Sequence, residues 1–170
     1  MKLVLPVSHV DFKLAALLAS YTATLGQMTE ERCLVVSTWS AAWYMDPILE
    51  WIRPAFGSVE YLKLATENEQ GWPASASHLF FETCKHLHEH DNTEPWFWCE
   101  ADALPLRAGW FQELKHEYEE AGKPYMGKIN DSRFENIKTG ERFIKGKHMS
   151  GVAVYPANFL DMCQIGRAHV

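Results

Sequence analysis

Four consecutive large side chains, Trp96, Phe97, Trp98 and Cys99, run directly into Glu100-Ala101-Asp102, and a proline-containing turn then leads to an amphipathic segment near Ala108. The run is short and uniformly apolar, so it reads as a strand buried on both faces, as in parallel α/β sheets. Alternation along a strand sends Glu100 and Asp102 to the same side at its end. Open α/β sheets bind ligands at that carboxyl edge. Two carboxylates there repel each other unless a cation or a substrate joins them.

The rest of the chain supplies the neighbours such a strand needs. Residues 2–7 read as a first strand, and Asp11 as the N-cap of a helix to Leu25, closed by Gly26. Residues 32–37 form a second buried strand, and a helix over 41–52 is stopped by Pro54. Residues 59–64 form a third strand, and after a polar loop at 66–73, Ser75 or Ser77 caps a helix to Glu89. After the strand at 96–99, a helix over 108–121 ends at Gly122 and Pro124. Strand and helix thus alternate four times, the pattern of a doubly wound parallel sheet. The pattern then changes: strands at 125–129 and 151–155 flank a polar, glycine-containing stretch at 130–147, which predicts a mixed sheet with a loop or hairpin. No internal repeat or linker divides the 170 residues, so the expectation is one domain.

Composition narrows the partners. The net charge of −6 argues against nonspecific nucleic-acid binding, which needs a basic face to displace counterions. Cys33, Cys84, Cys99 and Cys163 form no C-x-x-C pair, and three lie in apolar runs. Buried thiols predict a reducing, cytoplasmic setting. His9, Asp11 and Lys13 interrupt the early apolar run, which predicts no signal peptide, and no stretch approaches the roughly 20 apolar residues of a membrane span. The last six residues, Ile165-Gly166-Arg167-Ala168-His169-Val170, coincide with one reading frame of a widely used sequencing adapter. The expectation is therefore a native domain over 1–164, cut short at its carboxyl end, and a non-native tail over 165–170.

Several residue groups carry candidate chemistry. Glu100 and Asp102 offer hard oxygen ligands suited to Mg²⁺ or Mn²⁺, the alternative being two solvated turn residues. Gly71 to His78 form a segment of small residues before a helix, where a ligand can approach the backbone and a helix N-terminus attracts anions. Pro6, Ser8 and His9, Ser37 and Thr38, and Glu67 and Asn68 end the first three strands and are expected to rim the same cleft. His148 beside Ser150 and Gly151 is a further candidate for a metal or phosphate contact. His86, His88 and His90 fall at a predicted helix end, where only His86 and His90 share a face and all three complement the helix dipole.

In this order the segments Gly71 to His78, Glu100-Ala101-Asp102 and Ser150-Gly151 resemble the GT-A type of nucleotide-sugar glycosyltransferase, closest to its family-2-like group and related viral or bacterial proteins. The resemblance runs along nearly the whole chain and is specific around 96–127 and 148–156. It implies a three-layer Rossmann-like fold with a mainly parallel mixed sheet. It further implies a nucleotide-sugar donor lying against Pro6, Ser8, His9, Ser37, Thr38, Asn68, Gly71, Ser77, Glu100, Ala101, Asp102, Ser150 and Gly151. Mn²⁺ or Mg²⁺ would sit on Asp102, Glu100 and His148, and the acceptor is unspecified. An inverting enzyme would need a carboxylate base, for which Asp131, Glu135 and Asp161 are available. The chain departs from the family in beginning its metal motif with Glu and in lacking the arginine usual in the small-residue segment. A nucleotidyltransferase of similar fold would want a glycine-rich basic loop where Pro6-Val7-Ser8-His9-Val10 stands. A noncatalytic nucleotide- or carbohydrate-binding module remains the alternative outside enzymes. A dehydrogenase is disfavoured because no G-x-G-x-x-G follows the first strand.

Overall fold

A strand buried on both faces needs helices above and below it, and the chain provides both. The computed structural model describes residues 1–37, 42–64, 74–90, 92–135 and 142–167. The elements run β1 (Lys2–Pro6), α1 (Phe12–Thr24), β2 (Met28–Ser37), α2 (Ala42–Ile52), a 3-10 turn (Arg53–Ala55) and β3 (Phe56–Lys63). There follow α3 (Ala74–Glu89), β4 (Trp96–Trp98), α4 (Trp110–Ala121), β5 (Met126–Glu135), β6 (Arg142–Tyr155) and α5 (Phe159–Arg167). Among the described residues one sheet has the order β3-β2-β1-β4-β6-β5. β1 pairs in parallel with both β2 and β4, and β2 with β3, while β6 runs antiparallel to β4 and to β5. The chain lays β2 and β3 to one side of β1 and returns to place β4 on the other. That reversal places the topological switch point, beside which open α/β sheets carry their ligand crevice, at the carboxyl ends of β1 and β4.

Alternation sorts the strand residues into two cores. Leu3, Leu5, Val7, Cys33, Val35, Phe97 and Cys99 pack with residues of α1, α2 and α4 on one face. Val4, Leu34, Val36, Trp96, Trp98, Ala153 and Tyr155 pack with Leu79, Cys84 and Leu87 of α3 on the other, joined by Phe159 and Leu160 of α5. The fold is the expected three-layer α/β sandwich with a mainly parallel mixed sheet. Trp96, Phe97, Trp98 and Cys99 are all buried at its centre.

Several boundaries differ from the sequence reading for identifiable reasons. β2 starts at Met28, because buried Glu31 is satisfied by the Met1 ammonium at 3.2 Å and Lys115 at 3.0 Å, so a polar residue inside the strand costs little. A register shift follows Met28, and there a Cβ on Gly57 of β3 would meet the Thr29 carbonyl oxygen at 1.9 Å. Asp11 occupies the N-cap position of α1 but makes no side-chain cap; the Ser8 hydroxyl accepts the Val10 and Asp11 N–H groups at 3.2 Å each. Ser75 and Ser77 lie inside the first turn of α3, which begins at Ala74, so neither occupies the N-cap. Within the polar stretch, residues 130–135 and 142–147 belong to a long two-stranded ribbon of β5 and β6, whose backbone groups satisfy one another without an apolar alternation. α5 was not legible in sequence, and it extends through Arg167 into the six-residue end segment.

Trp96 is 1% exposed, stacks on Tyr155 at 4.6 Å between ring centroids and lies 5.6 Å from Phe80. Trp96→Ala is expected to lower unfolding free energy by about 3–5 kcal/mol, measured by chemical denaturation. A loss below about 1 kcal/mol would contradict its place at the centre of the sheet.

Candidate functional site

The site is built where β4 stops. The Cys99 N–H still donates to the Val4 carbonyl at 2.9 Å, after which the chain bends and the Ala103 N–H donates to the Glu100 carbonyl at 2.9 Å. Glu100 therefore stands at the entry of a tight turn and Asp102 at its second corner. Turn geometry brings the two carboxylates together, and the continued strand alternation expected from sequence does not apply to Asp102. Glu100 keeps the alternation of Trp98, whose side chain favours the charged form of its carboxylate. Trp98 pairs with Ala153, so Gly151 of β6 falls level with Glu100. The contact is close: a Cβ on Gly151 would lie 2.4 Å from Glu100 Oε1 and 3.2 Å from its Cδ. The Tyr155 hydroxyl donates to the Gly151 carbonyl at 3.4 Å, tying this stretch of β6 to the aromatic core.

The corner is electronegative. Partial burial lifts the Glu100 carboxyl above the ordinary glutamate range; Asp102 and Asp11 add to this, and the Trp98 indole opposes it. Cys99 is pushed up to about 12 by burial and then by Glu100 and Asp102. Burial likewise raises Tyr155 to about 12, with Glu100 contributing.

The remaining sequence candidates distribute unevenly. Pro6 ends β1 opposite Val36, Ser8 binds Asp11 Oδ2 at 2.7 Å, and His9 is exposed on the same turn. Ser37 ends β2 fully buried, and its carbonyl accepts the Leu64 N–H at 2.9 Å. Ala101 is half-buried against the core, Asp102 is exposed, and Ser77 is exposed near the start of α3. Thr38, Glu67, Asn68 and Gly71 lie outside the described residues. His148 and Ser150 lie on β6, with His148 paired to Asn130 in the ribbon. Among the described residues no three His, Cys, Asp or Glu side chains form a metal cluster on their own.

The histidine string lies at the other end of α3, near the amino edge. The His86 and His90 rings are 4.0 Å apart, His90 Nδ1 lies 2.9 Å from the His86 carbonyl, and burial, His90 and Lys2 hold His86 below its usual range. His88 Nδ1 is 3.6 Å from Asp161 Oδ1, which draws that candidate base away from the carboxyl-edge crevice. Asp131 and Glu135 are on β5 past the level of Trp98.

Sequence reasoning missed two contributors. Trp98 was read only as core, although its two-residue spacing from Glu100 was the available signal. Asp11 was read as a helix cap, and nothing in the sequence revealed its proximity to Glu100. Because the folded-state pKa of Glu100 lies above its unfolded value, the stability this group contributes is complete below the ordinary glutamate range and is lost as pH rises through the raised value. Glu100→Gln is therefore expected to melt higher than the parent protein at pH 8, with the gap closing in acid. A gap independent of pH in thermal denaturation would contradict the strained carboxylate.

No protein-family model matches the chain, and no curated protein sequence matches it. Solved structures do. The chain is similar to residues 1–349 of Staphylococcus aureus TarS, a GT-A-like glycosyltransferase, with a TM-score of 0.57 at 15% identity, covering 96% of this chain and 49% of that one. TarS in complex with UDP-GlcNAc gives 0.54 at 16% identity, covering 96% and 47%. The 4-diphosphocytidyl-2C-methyl-D-erythritol synthase of Anaerococcus prevotii, a nucleotidyltransferase, gives 0.53 at 8% identity, covering 99% and 75%. The chain thus spans about half the length of the TarS fragment. Among the described residues no helix is long and apolar enough to cross a membrane. These likenesses show the fold, a mixed α/β sheet flanked by helices that the chain shares with these solved structures.

Proposed function

We propose that the chain binds a nucleotide-diphosphate sugar across the crevice between β1 and β4 and transfers the sugar to an acceptor with the help of Mn²⁺ or Mg²⁺. The observation that carries this reading is the placement of Glu100 and Asp102 on one turn at that crevice, with Glu100 half-buried and disfavoured in its charged form. A hard divalent cation fits such a pair. It cancels the repulsion and draws its remaining ligands from substrate phosphates and water, so two protein carboxylates suffice. When bound, it supplies Lewis acidity toward the departing diphosphate. The carboxylates orient that group, and His148 is proposed to join them from β6.

Nucleotidyl transfer is the competing reading on this fold. It is disfavoured by the turn after β1, where the Ser8 hydroxyl already accepts the Val10 and Asp11 N–H groups that a phosphate-cradling loop would present. A noncatalytic binder would show the same donor affinity without turnover.

Calorimetry with UDP-GlcNAc and other UDP-sugars is expected to show Mn²⁺-dependent binding that falls at least tenfold in Asp102→Ala. That variant should fold normally, because its exposed carboxylate is replaced without opening the core. Slow metal-dependent donor hydrolysis would mark an enzyme. Donor binding unchanged in Asp102→Ala would refute the metal assignment, and pyrophosphate release from a nucleoside triphosphate would favour nucleotidyl transfer.

A further inference from the structure

A helix that packs on a sheet by one face ordinarily keeps its other face polar, and α1 does not. Ala15, Leu18, Ala19 and Thr22 bury its inner face, while Val10, Leu14 and Leu17 stand 73%, 46% and 66% exposed and Tyr21 is half-buried. Lys13 is the single charged residue between Phe12 and Thr24, and its ammonium lies over the Phe12 ring, 5.9 Å from the centroid. We propose that this outer face of α1 is the contact between two copies of the chain, packed antiparallel about a two-fold axis.

The spacing identifies a helix as the occupant. Val10, Leu14, Leu17 and Tyr21 are separated by four, three and four residues. That is the alternating step of a coiled-coil seam, which keeps successive apolar side chains toward a second helix. The spacing is also symmetric about the midpoint between Ala15 and Ala16. A two-fold axis through that point sets Leu14 of one copy against Leu17 of the other, and Val10 against Tyr21. The surface is then complementary to itself, as an isologous contact requires. Neighbouring elements leave the seam open. On one flank Phe12 meets Tyr44 of α2 edge-on, 4.3 Å between centroids. On the other, residues 103–109 leave the sheet beside β1, where the Cys99 N–H reaches the Val4 carbonyl. They end at Gly109, which lines one cavity with Leu25 and Gly26 at the far end of α1. This segment therefore runs the length of α1 and adds Leu104 and Leu106, 56% and 86% exposed.

Area and charge agree with a second copy. The exposed apolar surface of these side chains is on the order of 500 Å², a size at which patches mark interaction sites. With its polar rim, each copy approaches the roughly 800 Å² of a standard interface. The net charge of −6 makes two copies repel in most orientations, but α1 holds no carboxylate from Phe12 to Thr24. Asp11, just before it, falls opposite Ser20 of the second copy under the same axis. The negative charge also disfavours an anionic membrane surface as the occupant.

Sedimentation equilibrium is expected to show a monomer–dimer equilibrium in the micromolar range, which Leu17→Glu weakens at least tenfold by placing a charge in the seam. Leu17 is exposed, so the variant should keep the parent's circular dichroism spectrum. Leu106→Glu, outside the helix, is expected to weaken association by a smaller factor. Disulfide cross-linking reads the alignment, with the parent chain as the background for its native cysteines. Mixed Leu14→Cys and Leu17→Cys chains are expected to link to each other several-fold more than either links to itself. The reverse preference would overturn the antiparallel pairing. A chain that stays monomeric at high micromolar concentration, or a dimer untouched by both Leu17→Glu and Leu106→Glu, would overturn the interface. A monomer that binds phosphatidylcholine–phosphatidylglycerol vesicles, and loses them in Leu17→Glu, would overturn it in favour of a lipid surface.

Discussion

The placement of β4 between β1 and β6 is the constraint on which the rest of the molecule depends. Its three residues present Trp96 and Trp98 to the α3 face and Phe97 to the α1, α2 and α4 face, so one short strand contributes to both cores. Burying three aromatic side chains at this position supplies several kcal/mol of hydrophobic stabilisation, roughly 2–3 for each. It also fixes the height at which the chain leaves the sheet. The exit turn at Glu100 to Ala103 is therefore held by the core beneath it, which is what a site needs if its charged groups are to keep their positions.

That rigidity has an electrostatic cost concentrated at one corner. Glu100, Asp102 and Asp11 converge on the crevice, and the Trp98 indole is the counterweight that the structure supplies to Glu100. Elsewhere the protein satisfies buried charge directly: Glu31 meets both the Met1 ammonium and Lys115. The contrast between a neutralised acid inside the sheet and an under-neutralised pair at its carboxyl edge is the physical basis for assigning the second, and not the first, to ligand binding.

Much of this was legible in the sequence because burial leaves plain patterns. The uniformly apolar run at 96–99 and the β-α alternation up to Gly122 predicted the three layers, the parallel strands and the central position of Trp96 and Trp98. The ends of elements were less legible. The polar start of β2 depends on a distant ammonium and on Lys115, and no local pattern encodes either. The ribbon of β5 and β6 is held by its own backbone pairing, so its sequence lacks an apolar alternation. In the site, Glu100 and Asp102 could be read from a motif and its place after a strand. The contact between Glu100 and Gly151 could not, because it joins residues 51 positions apart through the register of an antiparallel pair. Thr38, Asn68 and Gly71 fall outside the described residues.

In the proposed function, a buried aromatic strand presents a cation-binding carboxylate pair at the carboxyl ends of β1 and β4. Terbium luminescence excited through tryptophan addresses it directly, since Tb³⁺ is a hard oxygen-seeking ion and Trp98 ends β4 two residues before Glu100. The account predicts sensitised emission that saturates at one ion per chain, is displaced by Mn²⁺, and disappears when Glu100 and Asp102 are both replaced by their amides. Emission that persists undiminished in that double variant would contradict it.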